Sequence, residues 1–175
     1  MRTQSKRSRS KQTYTVRLPL DSRPLEVYLP YWNMDPCMTC MDDQTLAREC
    51  VNVHTILKAL KTPKDKRQVE DSQVKLWRGY EALLTVIGVC AGTERRERGY
   101  PEPLLREILL LGRADVERAH KKGTPIPSWF GDENFHSMHR ASLIAFMPSW
   151  YRRHGWIEQP RQIVWPTTRQ SRVQA

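Results

Sequence analysis

Residues 43–60 read DQTLARECVNVHTILKAL, and this stretch decides the fold. Apolar side chains recur in it near one face of a 3.6-residue helix, which is the pattern of an amphipathic helix packed on a core. These side chains are Leu46, Val53, Ile56, Leu57 and Leu60. Asp42 or Asp43 stands where a helix N-cap is expected. The pattern therefore predicts a long helix from that aspartate to about Leu60.

Similar patterns continue along the chain. They predict helices over 71–98, 103–122 and 132–146, and one further turn over 149–154. Strand signals are limited to 14–18 and 163–165. The predicted fold class is all-α, with a single compact domain.

The positive charge lies at the two ends of the chain. The 175 residues carry 29 Lys and Arg against 19 Asp and Glu, a net charge of +10. Basic side chains outnumber acidic ones seven to one over 1–24 and five to one over 148–175, whereas the two are equal over 25–147. We therefore expect a helical domain over 25–166, a basic arm over 1–24 and a tail over 167–175. Basic arms commonly bind phosphates, so RNA or duplex DNA is the predicted partner.

The composition limits the cellular compartments in which the protein is expected. Four cysteines without a secretory signal are typical of a reducing environment. No apolar run reaches the roughly 18 residues that a membrane span requires, so no membrane contact is expected. Residues 1–17 are basic and contain no acid, as organellar presequences do. A mitochondrion or another organelle is therefore favoured over the nucleus or a virion.

Several motifs occur in order between residues 28 and 166. They read YLPY over 28–31, LWRGYE over 76–81, PSWFGDE over 127–133, HSMHRASL over 136–143, WYRRHG over 150–155 and VWP over 164–166. With the 43–60 helix, they resemble the pyrimidine-dimer DNA glycosylases of the endonuclease V type. The resemblance implies an all-α fold and nucleic-acid binding. His136 and His139 match family positions without a catalytic role and are interpreted as structural.

The resemblance also implies a chemistry whose requirements this chain lacks. In the family, the α-amine exposed by removal of the initiator Met attacks the sugar, and a glutamate on the first long helix assists it. That glutamate aligns with Asn52, and the family's first residues align with Leu25-Glu26-Val27. No catalytic residue is therefore predicted. Proteolysis near Pro24 or Leu25, or a substitute carboxylate from Glu49, would be the routes to an active site.

A second set of residues has the spacing of a metal site. Cys37, Cys40, Cys50 and His54 form C-x2-C-x9-C-x3-H, with the first two expected in a loop and the last two one turn apart on a helix. Structural zinc is held by sulfur and nitrogen ligands at spacings of this kind. Cysteines buried in the core and a histidine that only forms hydrogen bonds would give the same sequence pattern, so both interpretations stay open.

Aromatic and basic residues alternate near the C-terminus. Trp150, Tyr151, Arg152, Arg153 and Arg161 are predicted to contact nucleic acid through stacking and phosphate binding. The same role is predicted for the N-terminal residues Arg2, Lys6, Arg7, Arg9, Lys11 and Arg17.

Three functions remain open at this point. The favoured one is a non-catalytic nucleic-acid-binding protein that contacts neighbouring proteins in a larger assembly, such as an organellar ribosome or a virion. The second is an active pyrimidine-dimer glycosylase and AP lyase, generated by N-terminal processing. The third is a zinc-stabilised module that binds other proteins.

Overall fold

The structure of the protein is a computed structural model that describes residues 25–166. Over this range the chain is helical and contains no strand, which confirms the predicted all-α class. The helices are α1 Met34–Thr39, α2 Asp43–Lys61, α3 Lys66–Glu70, α4 Ser72–Trp77, α5 Glu81–Glu97, α6 Leu104–Lys122, α7 Glu133–Phe146 and α8 Pro148–Tyr151, with a 3₁₀ turn at Arg152–His154. The strand predicted over 163–165 is wrong, and the one over 14–18 lies outside the described residues.

The long helix expected over residues 43–60 is α2, and its N-cap is Asp42. The Asp42 carboxylate accepts hydrogen bonds from the N–H groups of Gln44 at 2.9 Å and Thr45 at 3.0 Å. These bonds satisfy two donors that have no partner inside the helix. The apolar face of α2 is buried in the core, as its periodicity predicts.

The single helix predicted over 71–98 is two helices, α4 and α5. Gly79 separates them with a φ of +90°, a backbone conformation that residues with a Cβ rarely adopt. Arg78 before it is extended. The apolar spacing runs through this break without a gap, and for that reason the periodicity does not reveal it.

The helix α1 corrects the expectation that Cys37 lies in a loop, whereas Cys40 lies in the turn directly after it. Asn33 caps α1 by accepting the N–H of Asp35 at 3.2 Å. At its other end the Arg98 guanidinium donates to the carbonyl oxygens of Met38, Thr39 and Met41 at 3.3, 3.1 and 2.8 Å. Because carbonyls at a helix end need partners, this one side chain holds α1 against α5.

The core lies among α2, α5 and α6, and glycines allow these helices to approach closely. A Cβ built on Gly112 of α6 would lie 1.9 Å from Thr85 Oγ1 on α5. A Cβ built on Gly88 of α5 would lie 2.6 Å from Val53 Cγ1 on α2. Only a hydrogen atom fits at these two crossings. Between residues 25 and 166, no helix has the length and apolar character needed to cross a membrane.

Candidate functional site

Asn52 lies on the inner side of α2, against the segment that precedes α1. Its side chain is almost fully buried, and its Nδ2 donates a hydrogen bond to the backbone carbonyl of Glu26 at 2.6 Å. Glu26 is one of the three residues with which the start of the resembled enzymes aligns. The amide of Asn52 therefore faces a peptide group of a continuous chain, and the two groups are complementary, since N–H donates and C=O accepts.

Glu49 lies one turn earlier on the same helix and is fully buried. Its Oε2 accepts the backbone N–H of Tyr28 at 3.0 Å, while its Oε1 has no hydrogen-bond partner in the described structure. Burial raises the pKa of this carboxyl to about 8, against the lowering effect of the Tyr28 N–H. The role of Glu49 as a substitute catalytic carboxylate stays a prediction; in the described structure its side chain is buried and is not accessible to a substrate.

Three side chains of α7 hold the next residues of the same segment. His139 Nδ1 accepts the N–H of Leu29 at 3.0 Å, and His136 Nδ1 lies 2.7 Å from the Leu29 carbonyl oxygen, to which it donates. Burial lowers the pKa of both imidazoles, which favours their neutral forms. Arg140 Nη1 donates to the Pro30 carbonyl at 2.9 Å. These contacts agree with the structural role inferred for the two histidines.

The residues from Leu25 to Tyr31 are therefore anchored from two sides. Glu49 and Asn52 bind their backbone from α2, and the two histidines and Arg140 bind it from α7. A backbone segment with this many buried side-chain partners has one position, because every lost contact would leave a buried polar group unpaired. In the described structure, Glu49 and Asn52 therefore face the chain's own backbone.

Of the aromatic and basic residues near the C-terminus, Tyr151 does not fit the predicted role in nucleic-acid contact. Its ring is fully buried and stacks on Trp156 at 5.4 Å between centroids. Its hydroxyl donates to the Asp42 carboxylate that caps α2 and lies 3.0 Å from Thr45 Oγ1. The apolar–basic alternation does not distinguish a ring that packs inward from one that faces solvent.

The neighbouring residues do reach the surface. Trp150 is half-buried, donates from Nε1 to the Cys40 carbonyl at 2.9 Å, and carries the Arg153 guanidinium 3.3 Å from its ring centroid. Arg152, Arg153 and Arg161 are exposed, and within residues 25–166 none of them forms an ion pair. These three arginines can bind phosphate without first breaking an ion pair. The predicted contact residues Arg2, Lys6, Arg7, Arg9, Lys11 and Arg17 lie outside the described residues.

Of the predicted metal ligands, Cys37 and Cys40 lie close together, since Cys40 Sγ contacts the Cys37 carbonyl oxygen at 3.2 Å. Cys37, Cys40 and Cys50 are buried free thiols, and burial raises the pKa of each of them, that of Cys40 to about 12. His54 Nε2 instead contacts a Glu107 carboxylate oxygen at 2.8 Å. Over the described range, no group of three or more His, Cys, Asp and Glu side chains is positioned to hold a metal ion. The zinc site therefore stays a prediction from spacing, and metal analysis of the wild type beside Cys50→Ser would test it.

The family model described as pyrimidine dimer DNA glycosylase matches residues 30–107, which span α1 to the first turn of α6. The resemblance inferred from the motifs is therefore confirmed over this part of the chain. Neither a curated protein nor a solved structure matches the chain.

Two features of this region are missing from the sequence-based predictions. The first is the set of side chains that bind the backbone before α1. The HxxHR motif over 136–140 contains three of them, but a motif does not show what its polar atoms contact. The second is an open depression between α5 and α6, which is lined by the exposed Leu109 and the partly buried Leu105 of α6. The apolar run over 108–111 is the signal for it, because a helix that buries only one face cannot cover four consecutive apolar residues.

Proposed function

We propose that the protein binds nucleic acid without catalysis, on a pyrimidine-dimer glycosylase fold. The observation that carries this proposal is the 2.6 Å hydrogen bond from Asn52 Nδ2 to the Glu26 carbonyl. The family chemistry needs a carboxylate next to a free amine. Here an amide lies at the carboxylate's position and a peptide carbonyl lies opposite it.

The two departures from the family pattern are Asn52 in place of the glutamate and the presence of residues 1–24 before Leu25, and the two are physically compatible. A glutamate at position 52 would direct an ionised carboxylate at the Glu26 carbonyl, and two acceptors cannot form a hydrogen bond. Asparagine at 52 removes that repulsion and supplies the donor. The asparagine is therefore the residue expected when the chain passes through this point, as it does from residues 1–24 into Leu25.

Nucleic-acid binding is supported by family membership and by charge. The matched family is named for an enzyme that acts on DNA. Arg152, Arg153 and Arg161 are exposed and have no acidic partner in the described region. The arm over 1–24 adds a large positive excess next to a body that is neutral overall. Such a distribution favours phosphate contact at the ends of the molecule over a uniformly attractive surface.

We extend the proposal to a role as a structural component of a nucleoprotein assembly, in an organelle or a virion, with duplex DNA or RNA as the ligand. Charge at the termini and a neutral body suit a component whose arms follow nucleic acid while its body packs against other proteins. Binding of labelled duplex DNA and of structured RNA, measured over a salt series with and without residues 1–24, tests this part. Failure of the full chain to bind either ligand at low salt would refute it.

Covalent trapping tests the absence of catalysis. Ultraviolet-irradiated duplex is incubated with borohydride and with each of three proteins. These are the full chain, a chain released by protease so that it begins at Glu26, and that shortened chain with Asn52→Glu. We expect no adduct from the first two, because neither has a carboxylate at position 52. An adduct from the full chain or from the chain beginning at Glu26 would instead establish a glycosylase, in the latter case one activated by processing.

A further inference from the structure

The turn between α5 and α6 forms an open depression of about 610 Å³. Its walls are apolar and basic side chains of the last turn of α5, the connection and the first turns of α6. They include Arg96, Tyr100, Pro101, Leu105, Arg106 and Leu109. None of these residues takes part in anchoring the segment before α1, so the depression is separate from the site described above.

The apolar surface continues along α6 beyond the depression. Leu109 is 49% exposed and Val116, two turns later on the same face, is 38% exposed. Only a narrow stripe of α6, including Ile108 and Gly112, is buried against the body. Large aliphatic side chains that are exposed on one face of a helix and adjoin an apolar depression are consistent with a surface that another molecule covers.

The charge at the depression is positive and uncompensated. Arg96 and Arg106 are exposed, and neither has an ion-pair partner between residues 25 and 166. The nearby carboxylate of Glu102 is buried and already bound by Arg95, whose Nε lies 2.7 Å away. Two free guanidinium groups beside an apolar floor are complementary to carboxylates flanking an apolar side chain.

We propose that this depression binds an acidic segment of a partner protein, with a leucine-like or aromatic side chain seated between Arg96 and Arg106. Charge excludes the protein's own termini as the occupant, because the arm over 1–24 is strongly basic and residues 167–175 carry only basic charges. The apolar groups argue against nucleic acid. Leu109 and Val116 have no stacking face, and one face of the Tyr100 ring is covered by the Arg95 guanidinium at 5.4 Å.

Selection of random peptides displayed on phage against the full chain tests the proposal. We expect enriched sequences in which Asp or Glu flanks an apolar or aromatic residue. A synthetic peptide of the enriched sequence is then titrated by fluorescence anisotropy. The double variant with Arg96→Glu and Arg106→Glu should lower the affinity for this peptide about tenfold or more, because both guanidinium contacts become repulsive. Leu109→Asn should lower the peptide affinity but leave the salt dependence of that affinity unchanged, because it removes an apolar contact and no charge.

The matched control is the pair Lys64→Glu and Arg67→Glu, which changes the net charge equally at exposed positions before and within α3. This pair should leave peptide affinity nearly unchanged, and thermal unfolding should show that every variant folds. The proposal would be overturned if the selection enriched no sequence that combines acidic and apolar residues, or if the control pair lowered the peptide affinity equally. Selective loss of duplex DNA or RNA affinity in the Arg96 and Arg106 pair would assign the depression to nucleic acid instead. Because peptide binding is measured without nucleic acid, its outcome is independent of the proposed nucleic-acid function.

Discussion

The buried carboxyl of Glu49 accepts the backbone N–H of Tyr28 at 3.0 Å, joining α2 to a residue 21 positions earlier in the chain. Its second oxygen has no hydrogen-bond partner in the described structure. A carboxyl in this position is more stable protonated than ionised, since burial penalises the charged form. The contact that anchors the N-terminal segment is therefore sensitive to pH.

The first prediction is a loss of stability as the pH rises. In the folded protein the pKa of Glu49 is about 8, whereas its ordinary value is 4.5. Between these values the folded state holds a proton that the unfolded state has released, so the free energy of unfolding falls with increasing pH. The slope is up to about 1.4 kcal/mol per pH unit and levels off above pH 8. Urea denaturation from pH 7 to 9 measures it, because at lower pH the buried His136 and His139, whose pKa values are lowered, change the stability in the opposite sense.

Glu49→Gln should remove most of that slope, because glutamine does not titrate. Glu97→Gln is the control, since Glu97 is an exposed residue at the end of α5. The control should keep the wild-type pH dependence. Equal slopes in the wild type and Glu49→Gln would show that Glu49 is not the titrating group.

The second prediction concerns Asn52→Asp. The carboxylate cannot donate to the Glu26 carbonyl, so a buried acceptor loses its partner beside a new negative charge. Unpaired buried polar groups cost about 1–3 kcal/mol, and charge increases the penalty. We expect a loss of stability in at least this range by chemical denaturation at pH 7. Asn134→Asp makes the same change at an exposed position in the first turn of α7 and should be neutral or slightly stabilising.

The third prediction concerns the α5–α6 crossing. Gly112→Ala places a Cβ 1.9 Å from Thr85 Oγ1 and 2.6 Å from its Cβ, so the helices must separate. Overpacking of a core costs about 1–3 kcal/mol and occasionally more. Gly92→Ala in α5 has looser contacts, since its Cβ would lie 3.0 Å from Leu105 Cδ1 and 3.3 Å from Glu102 Cγ, and the end of the Leu105 side chain can move. Thermal unfolding should show a clearly larger loss for Gly112→Ala, and the reverse order would contradict the packing at this crossing.

The fourth prediction addresses phosphate contact at the 3₁₀ turn. Replacing Arg152 and Arg153 by Ala should weaken binding to duplex DNA of any sequence. It should also reduce the slope of log affinity against log salt concentration by about 2, because two phosphate contacts are lost. Fluorescence anisotropy over a potassium chloride series measures both effects. Lys64→Ala with Arg67→Ala removes the same charge on and before α3. If this control reduces the salt dependence equally, the effect comes from net charge and not from a contact at the turn.

Several features of the fold are readable from local chemistry. Periodicity and end signals predict α2, α6 and α7 close to their observed bounds, because an amphipathic helix must bury one face and its cap residues lie next to it in sequence. The break between α4 and α5 is not readable in this way. It depends on a backbone angle at Gly79, and the apolar pattern on both sides of Gly79 satisfies the helical period.

In the candidate site, too, one part can be predicted from the sequence and another part depends on the fold. The replacement at position 52 is visible in the chain by comparison with the family motif, whereas its partner is not. Glu26 lies 26 residues away, and the hydrogen bond exists only because α2 and the preceding segment meet in the core. The alternation of aromatic and basic residues also predicts an exposed patch, yet it places Tyr151 in that patch when the ring is buried against α2.

The sequence by itself determined the helical class, the family and the concentration of charge at the two ends, because each of these follows from residue types and their local spacing. Only the tertiary structure decided that Glu49 is an internal anchor, that Asn52 binds a peptide carbonyl, and that Arg96 and Arg106 flank an open depression. These properties depend on which groups from distant parts of the chain become neighbours. Burial and hydrogen-bond pairing, which set the chemistry of each group, are created by that packing.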